Sequence, residues 1–203
     1  MTNEPRPKCV LITGRPGSGK TTLSGELSER LYLPRLSRDQ FKEGYVNTFK
    51  MKHDGLPKET NGIVNEVFFE VAIAMLKGKV SLIIEAAFQH KNWNLVVPSI
   101  CEIADLRILI CDLDAETSAR RHLERGLANP KREFYHGDKR VAIYRETGHF
   151  APGGKYDPPR YEVPTLSVST RDGYDPGIEL IEDFITDAQQ GGELGAASRR
   201  QLP

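Results

Sequence analysis

The sequence predicts an α/β fold in which a parallel sheet is covered by helices on both faces. Short apolar runs of strand length alternate along the chain with segments whose apolar residues recur at helical spacing. This alternation is typical of parallel sheets, because the crossover between two parallel strands is usually a helix. We expect five strands, at residues 9–13, just before 37, and at 80–87, 106–113 and 165–170.

A glycine-rich loop follows the first strand directly. Residues 9–13 are apolar up to Thr13, and after the loop Leu23, Leu27 and Leu31 recur every four residues, as on one face of a helix. The pattern G-x-x-x-x-G-K-[ST] is matched in order by Gly14, Arg15, Pro16, Gly17, Ser18, Gly19, Lys20 and Thr21. A position between a strand and a helix is the context in which this pattern binds phosphate.

The residue types of this loop fit the chemistry of a polyphosphate. Glycines tolerate φ > 0 and carry no Cβ, so the backbone can wrap closely around phosphates with its N–H groups pointing inward. The positive end of the following helix adds to the attraction. We expect Lys20 to reach the β- and γ-phosphates of ATP and the Thr21 hydroxyl to bind Mg²⁺. Thr22, at the start of the helix, is included in the predicted nucleotide-binding set.

Three further helices are predicted, and two stretches remain unassigned. One helical stripe contains Ile63, Val64, Val67, Phe68, Val71 and Met75. Asp114 is a candidate N-cap for a helix that runs to about Arg125, and a last helix begins near Asp175. Residues 127–138 and 147–164 fit no regular element, and loops of such length are usually lids or flexible segments. We therefore expect a lid at 127–138, with Lys131, Arg132, His136 and Asp138 as ordinary residues of its surface; a place in the closed site is the alternative for each of them.

Composition limits the class of protein. With 203 residues, one domain over 1–188 and a polar, disordered tail over 189–203 are expected. Lys plus Arg and Asp plus Glu both total 28, and this zero net charge argues against a protein that coats nucleic acid. Three cysteines without metal-ligand spacing favour a reduced, intracellular chain. The chain shows no apolar signal core and no run of about 18 apolar residues, so we expect a cytoplasmic protein without a membrane span.

Two carboxylates are candidates for chemistry. Asp39 follows the expected end of the second strand, where it could accept a proton from an attacking hydroxyl. From the residues alone, an N-cap of a helix over 40–49 explains Asp39 equally well. Glu85 interrupts an apolar strand run, which is costly unless the charge is satisfied. That cost favours a role in binding acceptor or Mg²⁺, and a buried ion pair with Lys or Arg is the alternative.

Two arginines are candidates for a phosphate clamp. Arg121 and Arg125 are four residues apart, which places them on one face of the helix that Asp114 caps. The planar guanidinium suits this role because it pairs two phosphate oxygens at once. Surface arginines on helices are common, so an ordinary solvated face remains the alternative.

Taken in order, residues 14–21, 37–39, 83–88 and 121–126 resemble the P-loop kinase family. The resemblance is strongest to the branch that contains polynucleotide 5′-kinase, chloramphenicol phosphotransferase and zeta-toxin-like kinases, and it spans about residues 9–126. It implies a P-loop NTPase three-layer sandwich with a lid, and an enzyme that uses ATP and Mg²⁺.

The resemblance also implies roles for individual residues. Asp39 matches the general base, and Arg125 matches a lid arginine that stabilises the transferring phosphate. Arg121 matches a residue near the nucleotide base, and Lys42 matches a substrate-contacting position that is Arg in the polynucleotide enzyme. The chain departs from the family at Glu85, where Asp is more frequent.

The predicted function is an ATP-dependent kinase that phosphorylates a hydroxyl of a small molecule, with Lys20, Asp39 and Arg125 as catalytic residues. A polynucleotide or nucleoside kinase is less favoured, since the net charge is zero and no aromatic stacking platform is evident. An ATP-binding regulatory module is a further alternative, which would need neither Asp39 nor Glu85. Basic residues within 44–60 suggest a polar or anionic acceptor, or a solvated loop. Neither the acceptor's identity nor the oligomeric state follows from these patterns.

Overall fold

The computed structural model describes residues 4–186, which contain a five-stranded sheet with all strands parallel. The strands are β1 (Lys8–Gly14), β2 (Arg35–Ser37), β3 (Leu82–Glu85), β4 (Asp105–Asp112) and β5 (Thr165–Ser169). Their order across the sheet is β2-β3-β1-β4-β5, so the strand that leads into the glycine-rich loop is central. The predicted five-stranded parallel sheet is confirmed. The predicted tail, 189–203, lies outside the described residues.

Helices connect the strands and cover both faces of the sheet. Within residues 4–186 they are α1 (Lys20–Leu31), α2 (Arg38–Phe49), α3 (Thr60–Lys77), α4 (His90–Trp93), α5 (Val97–Ile103), α6 (Ala115–Ala128), α7 (Lys131–His136), α8 (Arg140–Thr147) and α9 (Ile178–Thr186). A short 3₁₀ turn, His53–Gly55, lies between α2 and α3. None of the helices in this described part combines the length and apolar character needed to cross a bilayer.

The sheet buries both of its faces, because successive strand residues point to opposite sides. On one side Leu11 and Ile84 pack with helices α3 and α5 in a single cluster. On the other side Val10 and Ile12 pack with residues of α1 and α9. This two-sided burial explains why the inner strands β1, β3 and β4 are mostly apolar along their length rather than alternating.

Helix α3 buries a different stripe from the predicted one. Its buried apolar residues are Val64, Phe68, Ala72 and Leu76, which recur every four positions. Ile63 and Val67, placed in the core by the sequence pattern, are 39% and 43% exposed. The prediction was wrong for these two residues, since α3 offers more apolar surface than one sheet face can cover.

Helix starts separate confirmed predictions from corrected ones. Asp114 caps α6 as predicted, because its Oδ1 accepts a hydrogen bond of 2.9 Å from the Thr117 backbone N–H. Asp39 is not an N-cap: α2 begins one residue earlier, at Arg38, and Ser37 occupies the cap position. The stretch 127–138, expected to lack regular structure, contains the end of α6 and all of α7.

Residues 148–164 have no helix or strand, and their middle part contacts the carboxyl end of β1. The Tyr156 hydroxyl lies 2.7 Å from Thr13 Oγ1, and the Trp93 indole N–H donates to the same Oγ1 at 3.0 Å. The Arg15 guanidinium donates to the Gly154 carbonyl at 2.6 Å. This segment therefore supports Thr13, the residue that directly precedes the glycine-rich loop.

The register of α3 can be tested with two neighbouring substitutions. We expect Phe68→Ala to lower the free energy of unfolding by about 3–5 kcal/mol, the usual cost of deleting a buried phenyl ring. Phe68 is fully buried and makes edge contacts with the rings of Phe41 and Phe88. Val67→Ala should change it by less than about 0.5 kcal/mol, as exposed substitutions do. Urea unfolding measures both, and equal losses would contradict the observed register.

Candidate active site

A cavity of about 350 Å³ opens at the carboxyl edge of the sheet, where ligands bind in open α/β folds. It is lined by residues of the glycine-rich loop, the start of α2, the end of β3, α6 and the segment around α7. Predicted site residues in its wall are Pro16, Gly17, Gly19, Lys20, Thr21, Thr22, Asp39, Lys42, Glu85 and Arg125. Residues 14, 15, 18 and 121 of the predicted set are not part of that wall.

The glycine-rich loop is shaped by close packing and by left-handed backbone. Gly17 has φ 87°, and a Cβ at this position would overlap the carbonyl oxygen of Ser118 on α6. Gly19, with φ 83°, is the last residue before α1. The Lys20 ammonium donates to the Arg15 carbonyl at 2.7 Å, and burial lowers the pKa of Lys20. The loop thus holds the Lys20 ammonium against its backbone, in a position where it could contact bound phosphates.

Glu85 is buried beside the start of α1. Its side chain is 4% exposed and accepts hydrogen bonds from Thr21 Oγ1 at 3.2 Å and Ser24 Oγ at 3.0 Å. The Arg35 guanidinium lies 3.7 Å away, so both alternatives from the sequence describe part of its environment. Thr21 and Glu85 together offer two hard oxygen donors at the phosphate end of the cavity. That donor set fits Mg²⁺, which takes one or two protein oxygens and completes its shell with water and phosphate.

Asp39 lies in the first turn of α2, amid several cations. Its carboxylate is 3.9 Å from Arg38 Nη1 and is 53% exposed, facing the open cavity. The Arg38 side chain is fixed by hydrogen bonds to Asn65 Oδ1 at 2.9 Å and Asn61 Oδ1 at 2.8 Å. Asp39 therefore presents its oxygens to the cavity from a rigid position.

Lys42 lies one turn further along α2 and is 5% exposed. Burial, followed by the charge of Arg38, lowers the pKa of Lys42 to about 8 against the opposing charges of Asp39 and Asp54. The ammonium donates to the His136 carbonyl at 3.3 Å, at the end of α7. A buried cation in the cavity wall favours an anionic group opposite it.

Helix α7 packs over the side of the cavity that is formed by α2. His136 Nε2 is 3.0 Å from Glu43 Oε1, and the Tyr135 hydroxyl donates to Asn47 Oδ1 at 2.9 Å. The segment 44–60 supports α7 through Lys52, which donates to Glu133 Oε1 at 2.6 Å. None of the four basic residues in that segment lines the cavity, and Lys52 contacts α7 instead. They are Lys50, Lys52, His53 and Lys58.

The two candidate arginines of α6, Arg121 and Arg125, contact different parts of the structure. Arg125 lines the cavity, whereas Arg121 donates to the carbonyls of Thr170 and Arg171 at 2.8 and 2.6 Å, after β5. Arg121 and Arg125 share one face of α6, which places both at the edge of the sheet. Their long side chains nevertheless reach different partners. Arg121 thus joins α6 to the end of β5, outside the phosphate-facing wall.

Sequence reasoning missed several members of the cavity wall. They are Arg38, His122, Arg132, His136 and Asp138. Three of these were expected on the lid surface, yet they point inward because α7 folds back against α2. Lys131 stays outside the wall, as expected. For His122 the available sequence signal was its position between Arg121 and Arg125, the two arginines of the family motif.

A family profile described as an AAA domain matches residues 9–141. The chain belongs to this family. Among solved structures, the AAA-domain chain is similar to a candidate kinase from Chloroflexus aurantiacus, with 22% identity over 92% of this chain and 100% of the other, and a TM-score of 0.74. It is also similar to the APS kinase of Mycobacterium tuberculosis, solved with AMPPNP and APS, with 17% identity over 90% and 99% and a TM-score of 0.61.

A sugar kinase from Janibacter is a third similar structure, with 19% identity over 89% of this chain and 96% of the other and a TM-score of 0.55. No curated protein matches the chain. At these identities the likeness is one of fold, and the AAA-domain chain has the kinase-like P-loop fold that the sequence resemblance predicted.

The phosphate loop can be tested through ligand-induced stability. We expect Lys20→Ala to leave the Tm without nucleotide nearly unchanged, because Lys20 supplies a charge rather than packing. Stabilisation by MgATP should shrink sharply, since a ligand raises the stability of the folded state by mass action. Thermal unfolding with and without MgATP measures this, and Lys77→Ala, at the exposed end of α3, is the control. Equal stabilisation of variant and parent would place the phosphates elsewhere.

The environment of Lys42 predicts a dependence of stability on pH. The pKa of Lys42 is about 8 when folded, below its ordinary value, so the unfolded chain binds more protons between these two values. Stability should therefore rise with pH from about 8 to 10.4, by roughly 3 kcal/mol in total. Chemical unfolding of the parent and of Lys42→Met isolates this contribution, because the variant lacks it. Parallel pH profiles would contradict the buried, charged environment.

Proposed function

We propose that the protein is a phosphotransferase that moves the γ-phosphoryl group of ATP to a hydroxyl of a small anionic acceptor. The observation that carries this proposal is the meeting of Lys20, Asp39 and Arg125 in the wall of one cavity. A group that binds phosphate, a carboxylate that accepts a proton and a guanidinium are the parts that phosphoryl transfer needs. A pure nucleotide-binding module would need no carboxylate facing the cavity.

The nucleotide half is formed by the glycine-rich loop and the end of β3. Lys20 would neutralise charge on the β- and γ-phosphates from below the loop. Thr21 and Glu85 would hold Mg²⁺, whose positive charge would offset the charge that develops on the transferring phosphate. Ser24 and Arg35 orient the Glu85 carboxylate for this role, through a hydrogen bond of 3.0 Å and an ion pair of 3.7 Å.

Asp39 is the best candidate for the general base among the carboxylates that line the cavity. Glu85 is committed to two hydroxyl groups, and Asp138 accepts hydrogen bonds from His122 and from the Arg140 backbone N–H. Within residues 4–186 Asp39 accepts no hydrogen bond and keeps its oxygens open to the cavity. A base must be able to bind the hydroxyl whose proton it takes. Asp39 meets that requirement.

The charges around Asp39 favour an acceptor that carries a phosphate or carboxylate beside its hydroxyl. Lys20 and Arg125 are assigned to the nucleotide, which leaves Arg38, Lys42 and Arg132 in the same wall. Against these three cations stand the carboxylates of Asp39 and Asp138, so this half keeps an excess of one positive charge. A neutral acceptor would leave that excess uncompensated beside the buried Lys42, which is costly. The arrangement therefore supports an anionic alcohol.

The 5′-hydroxyl end of an oligonucleotide is the alternative acceptor, since it also carries phosphate next to a hydroxyl. ATP consumption measured with pools of sugar acids, sugar phosphates, neutral sugars, nucleotides and 5′-hydroxyl oligonucleotides tests the proposal. Turnover with an anionic small molecule supports it. Turnover with oligonucleotides alone favours the alternative, and ATP binding without turnover in any pool favours a binding module.

The role of Asp39 can be tested by one isosteric substitution. We expect Asp39→Asn to lower kcat by about 10²- to 10⁴-fold, because it removes a general base while keeping the size of the side chain. The affinity for ATP should stay nearly unchanged, since the partner of Asp39 is the acceptor hydroxyl. Asp183→Asn, an exposed change on α9, is the matched control in the same phosphotransfer assay. Full activity of Asp39→Asn would exclude Asp39 as the base and leave Glu85 as the next candidate.

A further inference from the structure

His122 connects Arg125 to the segment around α7 that covers the cavity. On α6 its imidazole lies between Arg125 and Asp138, both of which line the cavity. His122 Nε2 is hydrogen-bonded to Asp138 Oδ2, and His122 Nδ1 is 3.4 Å from Arg125 Nη2. The three side chains form a continuous chain of contacts from the covering segment to the guanidinium.

The chemistry of the two end groups fixes the roles of the imidazole nitrogens. A guanidinium only donates hydrogen bonds, so Nδ1 must be the acceptor from Arg125. An ionised carboxylate only accepts, so Nε2 must carry the proton and donate it to Asp138. Both contacts are satisfied together by the neutral imidazole protonated at Nε2. A doubly protonated ring would turn an N–H toward Arg125 and break the chain.

Asp138 is itself held in place. Its Oδ1 accepts a hydrogen bond of 3.0 Å from the Arg140 backbone N–H at the start of α8. The hydrogen bond from His122 is the largest cause that lowers the pKa of Asp138, to about 2. A carboxylate that stays ionised and anchored is a suitable fixed acceptor for the imidazole N–H.

The other end of the chain of contacts is fixed against the phosphate loop. A Cβ on Gly17 would overlap the Ser118 carbonyl oxygen and would lie 3.2 Å from His122 Cβ. Helix α6 therefore touches the loop backbone at this point. Because of this contact, α6, which carries His122 and Arg125, is positioned directly against the phosphate loop.

We propose that His122 is a positioning residue that aims the Arg125 guanidinium at the transferring phosphate, with Asp138 holding the imidazole. This inference rests on the proposed phosphotransferase function and adds a residue to it. Asp138 follows α7, so the orientation of Arg125 depends on that helix lying over the cavity. The packing of α7 over the cavity and the placement of the Arg125 guanidinium are thereby coupled.

Substitutions of His122 test this role. His122→Leu removes both hydrogen bonds and should lower kcat on the order of 10- to 100-fold, the usual effect of losing a hydrogen bond to a charged group. KM for ATP should change little, because the arginine acts mainly in the transition state. His122→Gln should stay within about threefold of the parent, since its amide can donate to Asp138 and accept from Arg125. Glu124→Ala, an exposed change on α6, is the control.

A double-mutant cycle separates positioning from simple loss of structure. If His122 acts through Arg125, adding His122→Leu to Arg125→Ala should lower kcat no further. Additive losses, or a His122→Gln variant as poor as His122→Leu, would overturn the inference. So would a His122→Leu variant with the kcat of the parent, a result that leaves the proposed kinase activity itself intact.

Nitrogen NMR gives a readout that needs no activity. The chain has five histidines, and the His122 ring signals are identified as those that vanish in His122→Gln. In ¹⁵N-histidine-labelled protein we expect a proton on Nε2 and none on Nδ1. A proton on Nδ1 would overturn the inference even in an active enzyme. A parent without phosphotransfer to any acceptor would refute the proposed function instead, while the tautomer would still report on the contact.

Discussion

The buried carboxylate of Glu85 is the interaction on which the site depends. A charge in the interior is costly unless it is fully hydrogen-bonded, and Glu85 finds its partners on two elements, α1 and β2. Thr21 and Ser24 bring the first turns of α1 over the end of β3, and Arg35 brings β2. Glu85 also pairs in register with Ile12, two residues before the loop. Meeting the needs of one carboxylate thus assembles the phosphate end of the cavity.

The opposite wall follows from close backbone packing. Gly17 leaves no space for a side chain against Ser118, so α6 lies directly on the loop. From there α6 sends Arg125 and His122 into the cavity and Arg121 to the carbonyls after β5. Helix α7 then closes the third side through contacts with α2. Each wall of the cavity is thereby positioned, directly or through a neighbouring helix, relative to the central strand β1 and its loop.

Much of this arrangement was predictable, because the essential pieces are contiguous in sequence. The glycine-rich loop, the end of β2 and the end of β3 are short runs, and parallel strands bring their carboxyl ends to one edge. The N-cap of α6 was equally local and was confirmed. Predictions failed where a choice among several faces was needed. Ile63 and Val67 are as apolar as the buried residues of α3, yet the sheet covers only part of that helix.

The sequence by itself determined the order of the strands and of helices α1, α3, α6 and α9, the phosphate loop and the candidate carboxylates, since each depends on neighbouring residues. Tertiary structure decided which side chains share the cavity. His122 and Asp138 are sixteen residues apart, and their hydrogen bond exists because α7 folds back over α2. The separation of Arg121 from Arg125 depends in the same way on the carbonyls of Thr170 and Arg171, which follow β5. Such contacts depend on the packing of distant segments, and no local pattern encodes them.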